Sequence, residues 1–207
     1  MPLNLAVGPL ALFALVASIT PGPNNFLLMR SGARFGVRRS TSHMLGIQAG
    51  FVGLLLLSHM GVGALLLAVP FAMDLLRWAC FVYLLWLALV ILRDARREAA
   101  GLDQEAARSL AARPMSFVEA LLFQLINPKA WMMTITAASG FYGGAAPSWL
   151  DLAVMALLCT AIGSTSMLIW TVWGAAIDRL LRNPQARQLF GYSMAALVVA
   201  TAVWMLV

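Results

Sequence analysis

Apolar runs about 20 residues long recur along the whole chain, and they constrain its fold more than any other feature. A helix of about 20 apolar residues crosses the ~30 Å hydrocarbon core of a bilayer. Only 11% of the 207 residues are charged, whereas a water-soluble domain has about 25%. Runs such as "GLLLLSHMGVGALLLAV" do not alternate as barrel strands do. Since lipid admits only helices and closed barrels, the sequence predicts an all-α integral membrane protein.

Six spans are predicted, and the basic residues orient them. The spans cover residues 3–29, 43–69, 71–92, 116–140, 149–177 and 189–206. Twelve of the fourteen basic residues lie in the loops that follow the first, third and fifth spans. The positive-inside rule places these loops in the cytoplasm and both termini outside. The formal charge of +6 then reflects topology and contact with anionic membrane lipid, and it does not indicate nucleic-acid binding.

One long polar stretch, residues 93–115, divides the chain into two regions of three spans each. These regions are residues 1–92 and 116–207. Because three is odd, a two-fold repeat between them must be inverted in the membrane, which is a common architecture of secondary transporters. The stretch 93–115 is mixed in charge, and it is predicted to be a cytoplasmic surface helix or a loose connector.

Two similar proline motifs, "TPGPNN" and "NPK", interrupt the first and fourth spans. Each begins about 15 Å from the cytoplasmic end of its span at 1.5 Å per residue, close to the midplane. Thr20-Pro21 and Asn127-Pro128 are both a capping residue followed by proline, the combination that starts helices. Pro23 offers a second point of restart in the first motif. We therefore expect both spans to be broken, with two half-helix N-termini facing each other.

Two such N-termini would form an anion site for one small carboxylate, since their amide groups and helix dipoles are electropositive. Polar side chains can offset the cost of uncapped backbone in lipid; here they are Thr20, Asn24, Asn25 and Asn127. The alternative is a pair of kinks that shape the bundle without touching substrate. Lys129, the only lysine, lies at the same depth. It is predicted to clamp a substrate carboxylate, to form a structural ion pair, or to act as a proton-linked switch.

Glu119 and His43 are, with Lys129, the candidates for a proton carrier. Glu119 lies one turn inside the predicted cytoplasmic end of its span, and an interfacial position that faces water or an arginine is its alternative. His43 lies just inside the cytoplasmic end of the second span, next to arginines, and a surface role is its alternative. Gln48 and the "GSTS" run at 163–166 are polar and mid-span. They are predicted either to join helices or to line a pathway, and both interpretations stay open.

The motifs "TPGPNN", "GARFGVRRS…LGIQAG" and "QLINPKAW" resemble the LysE/RhtB family of amino-acid exporters, over essentially the whole chain. The stretches "SFVEALLFQLIN" and "AIGSTSMLIW" loosely resemble its cysteine/O-acetylserine exporter branch. The resemblance implies efflux of small amino acids or their derivatives across a bacterial inner membrane, driven by the proton gradient. The motif residues that it marks for the substrate are Pro21, Gly22, Pro23, Asn24, Asn127, Pro128 and Lys129.

Other classes of function find less support in the sequence. There is no HExxH, no nucleophile elbow and no pair of mid-span carboxylates, so no enzyme, metal or cofactor is predicted. Cys80 and Cys159 are interpreted as free apolar thiols. A passive channel or a structural membrane subunit is the alternative to an exporter, although a channel would favour a continuous polar stripe. Small-residue pairs such as Gly46 and Gly50 favour close helix packing within one subunit or between two, which leaves a homodimer open.

Overall fold

The computed structural model describes residues 5–69, 71–99, 113–141, 148–180 and 184–206, and every regular element within these ranges is a helix. Large apolar side chains cover much of the outer surface, as lipid contact requires. The all-α prediction is therefore confirmed. The helices in chain order are α1 (Val7–Ile19), α2 (Pro23–Arg39), α3 (Thr41–His59), α4 (Val62–Ala68), α5 (Ala72–Ala99), α6 (Phe117–Ile126), α7 (Pro128–Gly140), α8 (Trp149–Leu180) and α9 (Pro184–Trp204).

Three helices in the described part of the chain are long and apolar enough to cross a membrane unaided: α3, α5 and α8. The pair α1 and α2 makes a fourth crossing if it is one span, bent by 57°. The apolar helix α6 and the apolar segment Gln188–Trp204 of α9 are shorter than a full crossing. By length and composition the count is thus three to four, against the six spans that the sequence predicts.

Both predicted breaks are present. The first lies between α1 and α2, and the second consists of Asn127 alone between α6 and α7. Helix α2 starts at Pro23, the second of the two restart positions, with Gly22 as an extended N-cap. The expectation that Thr20 caps this helix is wrong, because its hydroxyl donates instead to the Ala17 carbonyl at 2.9 Å. A residue before proline favours extended backbone, and at Gly22 that conformation coincides with a helix start.

A third break interrupts the predicted span 43–69. Helix α3 ends at His59, and the short helix α4 follows at Val62. Gly61 between them has φ 91°, in the left-handed region that a residue without a Cβ adopts readily. The second span is therefore a long helix with a short helix appended at its C-terminal end.

Close helix crossings form the interior of the bundle. Helix α2 packs along α8, α3 packs along α6 and α7, and α5 packs along α9. Gly32 lies against the Thr171 carbonyl, and Gly46 lies against the Phe117 carbonyl, so these crossings bring backbone against backbone. Packing within one subunit thus accounts for Gly32, Gly46 and Gly50. Gly36 differs, since it stands at a kink with φ 75°.

Helix α5 continues past the predicted boundary at residue 92 as far as Ala99. Asp94 on this extension is buried, and it accepts hydrogen bonds from Arg30 at 3.0 Å and Arg34 at 2.8 Å. The beginning of the stretch 93–115 therefore belongs to the packed bundle, while residues 100–112 lie outside the described residues. These ion pairs also bring the arginines after the first span beside the end of the third span.

Candidate functional site

A cavity of about 80 Å³ lies where the two breaks meet. Three of the nine predicted substrate residues, Thr20, Pro21 and Pro128, do not line it. The other six do: Gly22, Pro23, Asn24, Asn25, Asn127 and Lys129. The structure thus brings the two motifs together although more than 100 residues of chain separate them.

The Lys129 ammonium bridges from the second break to the first. It donates to the Thr20 carbonyl at 2.8 Å, to the Thr20 hydroxyl at 3.0 Å and to the Pro21 carbonyl at 3.2 Å. These three oxygens occupy its three donors, at the electronegative C-terminal end of α1. Among the described residues no carboxylate forms an ion pair with Lys129. A half-buried cation therefore stands at the cavity with neutral partners.

Gly22 provides the space for this ammonium. A Cβ built on Gly22 would lie 3.0 Å from both Cδ and Nζ of Lys129. Its backbone is extended, with φ −174° and ψ 175°, so any residue could adopt its conformation. The reason for glycine here is therefore room for the lysine. Gly22 in "TPG" and Lys129 in "NPK" are the third residues of their motifs, which makes the two motifs complementary.

The last two carbonyls of α1, those of Ser18 and Ile19, and the Thr20 carbonyl that follows them accept hydrogen bonds from side chains outside this helix. Asn25 donates to the carbonyls of Ser18 at 2.8 Å and Thr20 at 2.9 Å. The Ser18 carbonyl also accepts from Ser166 at 2.9 Å, and the Ile19 carbonyl accepts from the Trp170 indole at 3.3 Å. Orphan carbonyls at a helix end are costly in lipid, and these donors remove that cost.

The N-terminal ends of the two half-helices differ. Gly22, the N-cap of α2, has no side chain that could cap the helix, and the first helical residue, Pro23, has no N–H. The amides of Asn24 and Asn25 follow at the cavity wall, where they cannot reach a carbonyl within the helix. In contrast, the Asn127 side chain caps α7 by accepting from the Lys129 amide at 3.2 Å. The predicted Asn127 cap is confirmed, and the open electropositive end belongs to α2.

A reciprocal amide pair joins the two broken spans. Asn24 donates to Gln124 at 2.9 Å, and Gln124 donates back to Asn24 at 3.1 Å. Sequence reasoning missed Gln124, although a carboxamide in an apolar run one turn before Asn127 was an available signal. Gln48, left open by the sequence, joins helices by donating to the Thr160 carbonyl at 2.8 Å and to Ser164 at 2.6 Å. It also lines the cavity, as do Gly163 and Ser166 of the "GSTS" run.

Glu119 and His43 do not lie at this cavity. They line a second cavity of about 450 Å³ between α2, α3, α5 and α6. Glu119 accepts from both terminal nitrogens of Arg113, at 2.7 and 2.6 Å, and the bond raises the pKa of that guanidinium. Glu119 also forms a capping box with Ser116 at the start of α6. The three proton-carrier candidates are thus divided between two cavities.

His43 is buried, with 1% of its surface exposed. Neither ring nitrogen has a hydrogen-bond partner in the part of the chain that the structure describes. The surface position that the sequence left open for this residue is therefore wrong, since α2 and α6 cover the start of α3. Cys80 and Cys159 are free and buried, and no group of three metal-ligating side chains occurs among the described residues.

Comparison with known proteins identifies the family. The profile of the family described as "LysE type translocator" matches residues 15–207. The chain belongs to the LysE family. The resemblance predicted from the proline motifs is thus confirmed, and a family of translocators agrees with the prediction that the chain is not an enzyme.

Two similar LysE-family relatives are the cysteine/O-acetylserine efflux proteins of Escherichia coli (strain K12) and Shigella sonnei (strain Ss046). Each is 32% identical to this chain over 193 residues, which cover 92% of both proteins. No solved structure matches this LysE-family chain significantly.

Proposed function

We propose that this LysE-family chain exports small amino acids or their derivatives from the cytoplasm, and that the cavity between the breaks holds the substrate. One observation carries the proposal. The Lys129 ammonium, without a carboxylate partner among the described residues, shares the cavity with the uncapped N-terminus of α2. A substrate carboxylate would complement both, because each favours an anion in a low-dielectric site.

The remaining walls fit the rest of an amino acid. The amide oxygens of Asn24 and Asn127 each accept one hydrogen bond, and a carbonyl oxygen has a second lone pair for a substrate ammonium. Phe51, Met133 and Met167 supply apolar surface for the substrate side chain. A cavity of about 80 Å³ with such walls favours a short, uncharged side chain. Cysteine and O-acetylserine, after which the relatives are named, meet that description.

We further propose six crossings in two inverted repeats, residues 1–92 and 116–207, with a linker at 93–115. The packing supports this arrangement. An inverted repeat exchanges spans one and four, spans two and five, and spans three and six. Under this exchange, packing of α1 and α2 against α8 corresponds to packing of α6 and α7 against α3. Packing of α5 against α9 is unchanged by the exchange. The structure contains all of these helix contacts.

The arginine-rich ends are assigned to the cytoplasm, with both termini outside. In support, Arg30 and Arg34 meet Asp94 at the end of the third span, and Arg113 lines the same cavity as Arg30. The arginines beside the first and fourth spans and Asp94 at the end of the third thus gather at one end of the bundle.

Proton antiport is the proposed source of energy. In an antiporter, the bound proton must disfavour the bound substrate. A proton on Lys129 favours a substrate carboxylate, so Lys129 fits recognition better than proton transfer. Glu119 and His43 then remain as the two candidates for the carrier. A passive channel is the alternative, and it would not accumulate substrate.

Uptake of radiolabelled L-cysteine into everted membrane vesicles, acidified inside, tests the proposal. We expect accumulation that a protonophore abolishes. Lys129→Met should lower the initial rate by about tenfold to a hundredfold, the range for a lost charged hydrogen bond. Arg77→Met is the matched control, because Arg77 is an exposed basic residue that faces Asp74 at 3.4 Å, remote from both cavities. If Lys129→Met transported cysteine at the wild-type rate at equal expression, the proposed site would be wrong. If cysteine crossed the membrane without accumulating inside the vesicles, the protein would be a channel.

A further inference from the structure

The second cavity has the composition of a binding site. Its volume of about 450 Å³ is several-fold larger than that of the cavity between the two breaks, called the break cavity below. Each of its four helices contributes a polar or charged group: Arg30 from α2, His43 from α3, Tyr83 from α5 and Glu119 from α6. Aromatic and aliphatic side chains fill the spaces between these groups. Such a mixture of apolar wall and a few convergent polar groups is typical of small-molecule sites.

His43 is the member of this wall that most needs a ligand. Both of its nitrogens are buried without a partner among the described residues, although nearly all buried polar atoms in proteins are bonded. An unbonded buried donor or acceptor is destabilising. A ligand that accepts from one ring nitrogen, or donates to the other, would remove that cost.

The second cavity lies directly beside the break cavity. Helices α2, α3 and α6 line both cavities. Pro23 of α2 and Ile47 of α3 line the break cavity, whereas Leu27 of α2 and His43 of α3 line the second cavity. Helix α6 contributes neighbouring residues to the two cavities. Residues four apart on a helix are about 6 Å apart along its axis. The Asn24–Gln124 amide pair ties α2 to α6 at this level. A solute that leaves the second cavity toward the midplane therefore meets the break cavity next.

Each arginine of the wall is paired with a carboxylate, which favours a zwitterion over an anion. Arg30 faces Asp94 at 3.0 Å, and Arg113 faces Glu119 at 2.6 Å. A phosphate group would favour cations that are not already paired. The half-exposed Arg113–Glu119 pair instead offers a cation for a carboxylate and an anion for an ammonium within one short distance.

We propose that this cavity is a second binding site for the amino-acid zwitterion, with His43 bonding to it and the Arg113–Glu119 pair matching its two charges. The inference rests on the proposed function, because it assigns the same substrate to a neighbouring site. In the orientation proposed above, this is the site that the substrate occupies first on its way from the cytoplasm.

Kinetics of L-cysteine uptake into everted vesicles test the site. His43→Leu should raise KM about tenfold with Vmax within twofold of the wild type, because a ground-state contact is lost. His43→Gln, which keeps a donor and an acceptor, should stay within about threefold of the wild-type KM. Arg113→Gln changes an exposed residue whose loss does not threaten folding, and it should raise KM about fivefold. His59→Leu is the matched control, since His59 lies on the same helix outside both cavities.

The outcomes separate this inference from the proposed function. An unchanged KM in both His43→Leu and Arg113→Gln would overturn the second site alone, provided that the wild type accumulates cysteine. A lowered Vmax with a shifted pH profile at constant KM would overturn it in favour of proton transfer by His43. Co-purified phospholipid that is lost from His43→Leu, with KM unchanged, would assign the cavity to a lipid. Absence of cysteine uptake by the wild type would overturn both proposals.

Discussion

The two breaks begin with the same chemistry but are stabilised in different ways. The second break is local: Asn127 caps α7 with its own side chain, and the Trp131 indole donates to the Leu125 carbonyl at 2.9 Å. The first break depends on α2, α7 and α8, which supply Asn25, Lys129, Ser166 and Trp170 to the end of α1. The same break leaves the start of α2 without a side-chain cap.

This difference assigns distinct tasks to the two breaks in the transport that we propose. The second break is stabilised by residues of its own span, and its lysine contributes a cation to the first break. The first break is open where a substrate carboxylate would bind, and α7 and α8 hold it in position. Movement of α7 relative to α1 would therefore change the site, whereas the second break would keep its shape. Three experiments with substituted proteins sharpen this comparison.

The largest effect on folding is expected from Asn25→Ala. The change removes two hydrogen bonds to the carbonyls of Ser18 and Thr20, which should lower the free energy of unfolding by about 2 kcal/mol. Asn127→Ala removes a single local cap, for about 1 kcal/mol. Titration of the purified protein with SDS in mixed micelles measures both. Equal losses, or a larger loss in Asn127→Ala, would mean that the first break does not depend on Asn25 more than the second break depends on its own cap.

Gly22→Ala tests the complementarity of the two motifs. The added methyl group would lie 3.0 Å from Lys129 Nζ, so the flexible lysine must move while the backbone can stay extended. We expect the rate of cysteine export to fall about tenfold, equivalent to one charged hydrogen bond, with little change in thermal stability. Gly53→Ala is the matched control, because a Cβ there meets no atom within 4 Å. Loss of stability without loss of export would contradict the role given to Gly22.

The smallest effects are expected from the two indoles. Trp131→Phe removes a bond of 2.9 Å to the second break, and Trp170→Phe removes one of 3.3 Å to the first. Each should lower the unfolding free energy by about 0.5–1 kcal/mol, with Trp131→Phe at the upper end. Only Trp170→Phe should also change the export rate, because the Trp170 indole bonds to the first break, where the substrate carboxylate would bind. A change of export in Trp131→Phe alone would reverse the assignment of tasks.

The sequence by itself determined the helical membrane fold, the places of the two proline breaks and the family. These follow from hydropathy, proline geometry and capping, which act over a few residues and can be read along the chain. It left the restart of α2 undecided between Pro21 and Pro23, because both are suitable first helical residues and local chemistry does not separate them.

Only the tertiary structure decided which groups meet. Lys129 bonds to Thr20 across 109 positions, Asn24 pairs with Gln124 across 100, and Asp94 lies buried against Arg30 across 64 and against Arg34 across 60. The burial of His43 likewise depends on helices remote in sequence. Each partner lies on a different helix, and the packing of whole helices, which no local periodicity encodes, sets the distance between them.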